Sequence, residues 1–583
     1  MGTKQTKIAV ACESGHFDEN RVNPADHDNY AIRLACYNGH LDEVRLLLAD
    51  RRVNPADNNN EAIRLACARG HVDIVRLLLT DIRVNPADKN NEAMVWACAR
   101  GHLDVVRLLL TDRRVNPADK NNKAIRVACQ NGHIDIVCLL LANPRVNPAD
   151  KNNKAIRWAC ALGHVDIVRL LLADPRVNPA DENNEAIRVA CQNGHIDIVR
   201  LLLADPRVNP ADHDNYAMQW ACYNGHLDVV RLLLADRRVN TADHDNYAIR
   251  LACYNGHLDE VRLLLADRRV NPADNNNEAI RLACARGHVD IVRLLLTDIR
   301  VNPADKNNEA MVWACARGHL GVVRLLLADR RINPAYIINE FMQLACYNGH
   351  LNVVRFLLAD IRVNPADKDN EAIRVACYNG HLDVVRLLLA DSRVSPTDRN
   401  NEAIQVACYN GHLDVVRLLL ADSRVDPADE KNEAIQVACY NGHLDVVRLL
   451  LADPRVNPAD NNNEAIRSAC ARGHVDVVRL LLTDTRVNPA DVYNYAIVWA
   501  CREGHVDVVR LLLTDTRVNP ADHDNYAMQW ACYNGHLDVV RLLLADRRVN
   551  TAGHYNAAIR WACERGHTDV VQLLLADDRV NPA

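Results

Sequence analysis

The stretch from Asp57 to Ala87, DNNNEAIRLACARGHVDIVRLLLTDIRVNPA, is rewritten with edits along the whole chain. Its Gly-His pair falls at Gly39, Gly70, Gly101 and onward to Gly566, always 31 residues apart. A fixed period of this size is the mark of a solenoid, in which each unit is too small to bury a core alone and is completed by its neighbours. From Asp26 to Ala583 the chain holds 18 such units. Residues 1–25 read as a truncated unit, because Gly15 precedes Gly39 by only 24 residues and most of a second helix is missing. The expected organisation is a shortened N-terminal repeat, 1–25, followed by a single array over 26–583.

Within one unit, Ile63, Ala66 and Cys67 fall at i, i+3, i+4, which makes one apolar helical face. Asn60 stands where an N-cap is wanted and Glu61 where a negative charge suits the helix dipole. Gly70 ends this short helix, since glycine enters the left-handed C-cap conformation without penalty. A second helix is predicted from about Val72 to Thr80, with Val72, Val75, Leu78 and Leu79 on one face and Ile74 and Leu77 widening the stripe. Asp73 and Arg76 stand three apart on its polar side. A loop through Val84, Asn85 and Pro86 leads to the next unit, and Pro86 has no N–H for a strand ladder. Helices of two turns are marginal in water, so stacking has to hold them.

These residues resemble the ankyrin repeat. Gly70-His71, the Ile74–Leu79 run and Val84-Asn85 match that family's pattern in order, and the match extends over essentially the whole chain. The unit departs by being two residues short, by Glu61-Ala62-Ile63-Arg64 in place of T-P-L-H, and by Asn60 in place of the hairpin-tip glycine. The resemblance implies an all-α fold, an ankyrin-type α-solenoid of stacked helix-turn-helix repeats in a curved superhelix, here with little or no β-hairpin. It also implies a protein-binding groove lined by the two residues after each cysteine. There the chain carries Tyr347-Asn348, Tyr378-Asn379, Tyr409-Asn410 and Tyr440-Asn441 in four consecutive units. Tyrosine is favoured at binding hot spots. One unit has an apolar tip, Tyr336-Ile337-Ile338, a second candidate partner contact.

Composition closes off other classes. The 69 basic and 75 acidic residues are interspersed, for a net charge of −6, which argues against a nucleic-acid or membrane-binding face. Every apolar run stops well short of a membrane span, most of them interrupted by arginine. Nineteen of the 20 cysteines sit three residues before a Gly-His pair, too far apart across stacked helices for disulfides. They read as free, buried thiols, which places the protein in a reducing compartment, the cytoplasm, with the nucleus also allowed. Cys36 and His40 are zinc-type ligands, but no second ligand pair accompanies them. Glycine and histidine are used almost entirely by the repeat, so no phosphate loop or asymmetric catalytic set is available. The Arg52, Arg83, Arg114 ladder is neutralised by the adjacent Asp50, Asp81 ladder, and all seven tryptophans share one unit position that reads as inter-unit packing.

The function these readings support is a non-enzymatic interaction scaffold with no cofactor or metal, whose partners are other proteins. Weakly capped ends leave room for end-to-end self-association. The alternatives are an adaptor recruiting targets to a ubiquitin ligase or a host pathway, which would normally need a further module such as an F-box, and a zinc- or thiol-dependent enzyme. His27–Leu103 and His244–Leu320 are near copies seven units apart, so some likeness between units records duplication instead of function.

Overall fold

A computed structural model describes residues 25–332, 338–549, 553–577 and 579. Among the described residues there are 36 helices and no strand, so the chain is all-α. They gather into two compact bodies. One comprises the residues up to Ala283 with Asp290–Val301, and the other comprises Cys284–Val289 with Asn302 onward. Within each body the first helix of every unit packs on the first helices of its neighbours, and second helices pack likewise. In the first body a typical pair is Asp57–Arg69 and Val72–Thr80; in the second it is Asp398–Tyr409 and Leu413–Leu420.

The core follows the expected faces. Ala62, Ile63, Ala66 and Cys67 are buried from the first helix, and Ile74, Val75 and Leu78 from the second. Each large aliphatic side chain removed from water contributes about 1.5–3 kcal/mol. The small Ala66 and Cys67 let adjacent first helices approach. The polar side carries pairs such as Asp42–Arg45 at 3.2 Å, both largely exposed and therefore worth little.

The start of the first helix differs from expectation. Asn58, Asn59 and Asn60 all have left-handed backbone angles, φ 50°, 57° and 58°, and the right-handed helix follows from Glu61. Three such residues in a row are costly for most side chains, and asparagine and aspartate tolerate them best. That explains tips reading Asn-Asn-Asn, Lys-Asn-Asn or His-Asp-Asn. The third asparagine is not the N-cap of its own helix. Its side chain is buried and bridges to the next unit: Oδ1 accepts the backbone N–H of Asn85 in its own closing loop at 2.7 Å, and Nδ2 donates to Oδ2 of Asp88, the first residue of the next unit, at 2.8 Å. The same two bonds recur at Asn91, Asn153, Asn184, Asn401 and Asn463, forming an asparagine ladder inside each body.

Two tight turns replace a hairpin finger. The Val84 N–H donates to the Asp81 carbonyl at 3.1 Å, and the Asp88 N–H to the Asn85 carbonyl at 3.3 Å, around a buried Pro86. Proline at the second position of such a turn presets its φ. Arg83 forks onto Asp81 and donates a further bond to the Val53 carbonyl of the preceding unit at 2.8 Å. Its hydrogen bonds hold the Asp81 carboxyl below the usual carboxylate range. The arginine ladder is thus neutralised as expected, and it also ties consecutive units together.

The Gly-His pair is a second inter-unit lock. Gly70 caps its helix with φ +81°. The His102 ring of the next unit packs so closely that a Cβ on Gly70 would lie 2.5 Å from Nδ1. The His102 Nε2–H donates to the Ala68 carbonyl at 3.1 Å, one helix end back. Glycine here is fixed by conformation and by space together.

Candidate functional site

The helix ends beside each glycine build a common face within each body. In the second body, Tyr347, Tyr378, Tyr409 and Tyr440 project from it, exposed by 50%, 47%, 47% and 39%. Their backbones are held firmly: each tyrosine carbonyl accepts Nε2–H from the next unit's histidine, His381, His412, His443 and His474, at 2.8–3.0 Å. The result is a row of exposed rings on a rigid backbone. The accompanying asparagines have another task. Asn348, Asn379, Asn410 and Asn441 turn back and donate Nδ2–H to the carbonyls of Leu344, Val375, Val406 and Val437, all at 2.9 Å, closing their own helix ends.

The apolar tip fares differently. Tyr336 and Ile337 lie outside the described residues, as do the expectations made for residues 1–24. Ile338 is 1% exposed and opens the helix Ile338–Tyr347, so it is a core residue and not a surface contact. Phe341, in the place of the usual alanine, is equally buried. The larger apolar side chains of this unit turn inward, where burial stabilises them.

The tryptophans also depart from expectation. Trp96, Trp220, Trp313 and Trp561 are exposed at about two-fifths of their surface, on the same face as the tyrosines. They still make contacts between units: in the second body the Tyr533 and Trp561 rings meet at 5.1 Å in a T-shaped pair, and the Arg502 guanidinium lies over the Trp530 ring of the next unit at 4.8 Å.

At one such place in each body, where a Tyr-Asn unit precedes an Ala-Arg unit, the arginine folds back onto the tyrosine. Arg69 lies 3.9 Å from the centre of the Tyr37 ring, and Arg472 lies 4.1 Å from that of Tyr440. Each pair walls a cleft whose far side is a tryptophan one unit on. The first, about 290 Å³, runs from Tyr37 past Arg64 and Arg69 to Trp96. Its counterpart, about 430 Å³, runs from Tyr440 past Arg467 and Ser468 to Trp499. Neither cleft emerged from reading units singly. The signal is the residue two after cysteine in one unit set against the residue one after cysteine in the unit before.

Among the described residues the cysteines are free thiols, buried apart from Cys138 and Cys563. Burial pushes Cys315 and Cys532 up to about 12, and the other buried thiols further still. Such groups are packing elements and poor nucleophiles. Cys36 is in the core, and the repeat histidine of the next unit, His71, is spent on the Tyr37 carbonyl. Among the described residues no cluster of three or more His, Cys, Asp or Glu is placed to hold a metal, and no helix is long and apolar enough to cross a membrane.

No curated protein sequence matches the chain. The family model described as ankyrin repeats (3 copies) matches it in overlapping stretches from residue 6 to residue 582, among them 6–88, 125–214, 249–337, 391–460 and 497–582. Matches over nearly the whole length, together with stacked helix pairs closed by interlocking Gly-His junctions, make this chain a member of the ankyrin-repeat family.

Proposed function

We propose that the chain is a non-enzymatic protein-interaction scaffold: one continuous array of 18 repeats whose first-helix face forms a groove for partner proteins. Ankyrin repeats are in general protein-interaction modules, and their architecture is typically non-enzymatic. The observation that carries the reading to particular residues is the row of Tyr347, Tyr378, Tyr409 and Tyr440. Four large rings stay roughly half exposed on a backbone pinned by successive histidines. A preordered aromatic row binds at low entropic cost, since little is immobilised on association. At one unit per 8–10 Å the row is about 30 Å long, enough for a standard protein interface.

The buried free thiols suit a reducing compartment, and the scaffold is assigned to the cytoplasm on that basis. The test is replacement of all four tyrosines by alanine. A partner captured by the wild-type chain should lose at least about tenfold in affinity, a modest sum for four hot-spot positions. Far-UV circular dichroism should be unchanged, because the rings are outside the core. Unaltered affinity would remove this row from the site.

A further inference from the structure

The groove reading leaves open the chemistry of what lies in the groove, and the two arginine–tyrosine clefts speak to it. Arg64 is engaged by Glu92 at 2.6 Å, and Arg467 by Glu464. Glu503, on the rim of the second cleft, lies 3.5 Å from Arg502. Arg69 and Arg472 join no ion pair among the described residues; their faces rest on Tyr37 and Tyr440 instead. The stacked arginine therefore brings an unpaired positive charge to each cleft, joined in the first by Arg100 on the lining. Its field reaches the backbone side of the cleft, where burial first, then Arg69, lowers the basicity of His71. His474 is lowered in the same direction by burial, by His443 and His505, and by Arg472.

A guanidinium stacked by its face keeps its N–H edge free, and that edge is matched to a carboxylate. Opposite it stands a partly exposed tryptophan, Trp96 or Trp499, the latter with the Arg502 guanidinium over one face of its ring at 4.5 Å. Each cleft thus offers one anion-matched edge and one aromatic wall in a fixed relation. We propose that each cleft binds an extended acidic segment of a partner protein in which a carboxylate lies beside an aromatic side chain. The carboxylate docks on the edge of Arg69 or Arg472, and the aromatic ring on Trp96 or Trp499. This rests on the groove reading and narrows it. Ser468 takes the place that Leu65 fills in the first cleft and Glu503 that of Arg100, and the second cleft is the larger, about 430 against 290 Å³.

The full chain is titrated by fluorescence anisotropy against a labelled random Glu-Tyr copolymer, with poly-Glu, a Lys-Tyr copolymer and oligo(dT) as comparisons. The Glu-Tyr polymer should bind most tightly and weaken as salt is raised to about 0.3 M, where surface charge is largely screened. R69Q/R472Q should weaken it at least about tenfold, the loss expected for removing a charge-assisted pair at each cleft. W96A/W499A should weaken the Glu-Tyr polymer and leave poly-Glu unchanged. The proposal is overturned if either double variant binds the Glu-Tyr polymer as wild type does, or if the Lys-Tyr polymer binds equally well. Tight oligo(dT) binding lost in R69Q/R472Q would reassign the clefts to nucleic acid and equally overturn it. The two readings fail separately. Y347A/Y378A/Y409A leaves both clefts intact and should bind the copolymer normally, whereas it should lose a captured partner if the groove reading holds.

Discussion

Replacing Asn184 isolates what the asparagine ladder contributes to the junction between two repeats. Asn184 is 5% exposed with φ 58°. Its Oδ1 accepts the Asn209 N–H at 2.7 Å, and its Nδ2 donates to Asp212 Oδ2 at 2.9 Å. N184A removes both. A neutral bond is worth about 0.5–1.5 kcal/mol and one to a charged group about 1.5–3 kcal/mol, with the lower end appropriate to a partly exposed carboxylate. Alanine held in the left-handed region adds about 1 kcal/mol. The total is about 3 kcal/mol, or about a hundredfold in the local opening constant. N184G keeps the backbone angles at no steric cost and should lose about 1 kcal/mol less. N184D keeps the acceptor but sets a carboxylate against Asp212, so it should be the most disruptive of the three at neutral pH and should recover in acid. Hydrogen exchange with mass spectrometry suits this better than a global melt, because long arrays depart from two-state unfolding. Peptides spanning 181–215 should lose protection in the order N184G, N184A, N184D, while peptides near residue 440 stay as in wild type. Protection of 181–215 in N184A within about threefold of wild type would refute the ladder as an energetic device.

Other outcomes follow from the same geometry. G411A forces alanine to φ +75° with its Cβ 2.5 Å from His443 Nδ1, and should open the adjacent junction by more than about 1 kcal/mol; adding H443A should relieve the clash but not the conformational cost, as read by exchange of the flanking helices. Under native conditions a maleimide should label Cys138 and Cys563 first, with the buried thiols reacting only after denaturation, mapped by peptide mass spectrometry. His71, His319 and His474 have lowered basicity, principally from burial. Their unfolded rings take up a proton near pH 6.5 while the folded rings do so only at lower pH, so acidification should favour unfolding from about pH 6.5 downward. The depressed Asp81-type carboxylates act in the same sense at lower pH, contributing stability above about pH 4 that is lost as pH falls further. Urea midpoints flat between pH 7 and pH 5 would contradict the histidine part.

Much of the architecture could be read from Asp57–Ala87 because its determinants are local and periodic. Helix-spaced Ile63, Ala66 and Cys67, a terminating Gly70 and a proline that forbids a ladder each act within a few residues. What escaped were effects that span two units. Asn60 looks like an N-cap when its own helix is considered alone, and its real partners are 25 and 28 residues on. Ile338 looks like a surface residue because its counterparts at the tip are polar, yet a larger side chain there turned into the core. The tyrosines were legible as surface residues, since they follow the last buried position of their helix. Their asparagine neighbours were not, because returning to the carbonyl four residues back depends on how the helix ends.

Among the described junctions inside each body, the Gly-His lock repeats the same plug and socket, with the ring reaching backward into the unit before it. A whole repeat can therefore be gained or lost without any new surface having to be invented, as long as the cut respects the 31-residue frame. The reach of the protein is adjustable in discrete steps, and the near-identical blocks His27–Leu103 and His244–Leu320, seven units apart, are what such a lineage leaves behind.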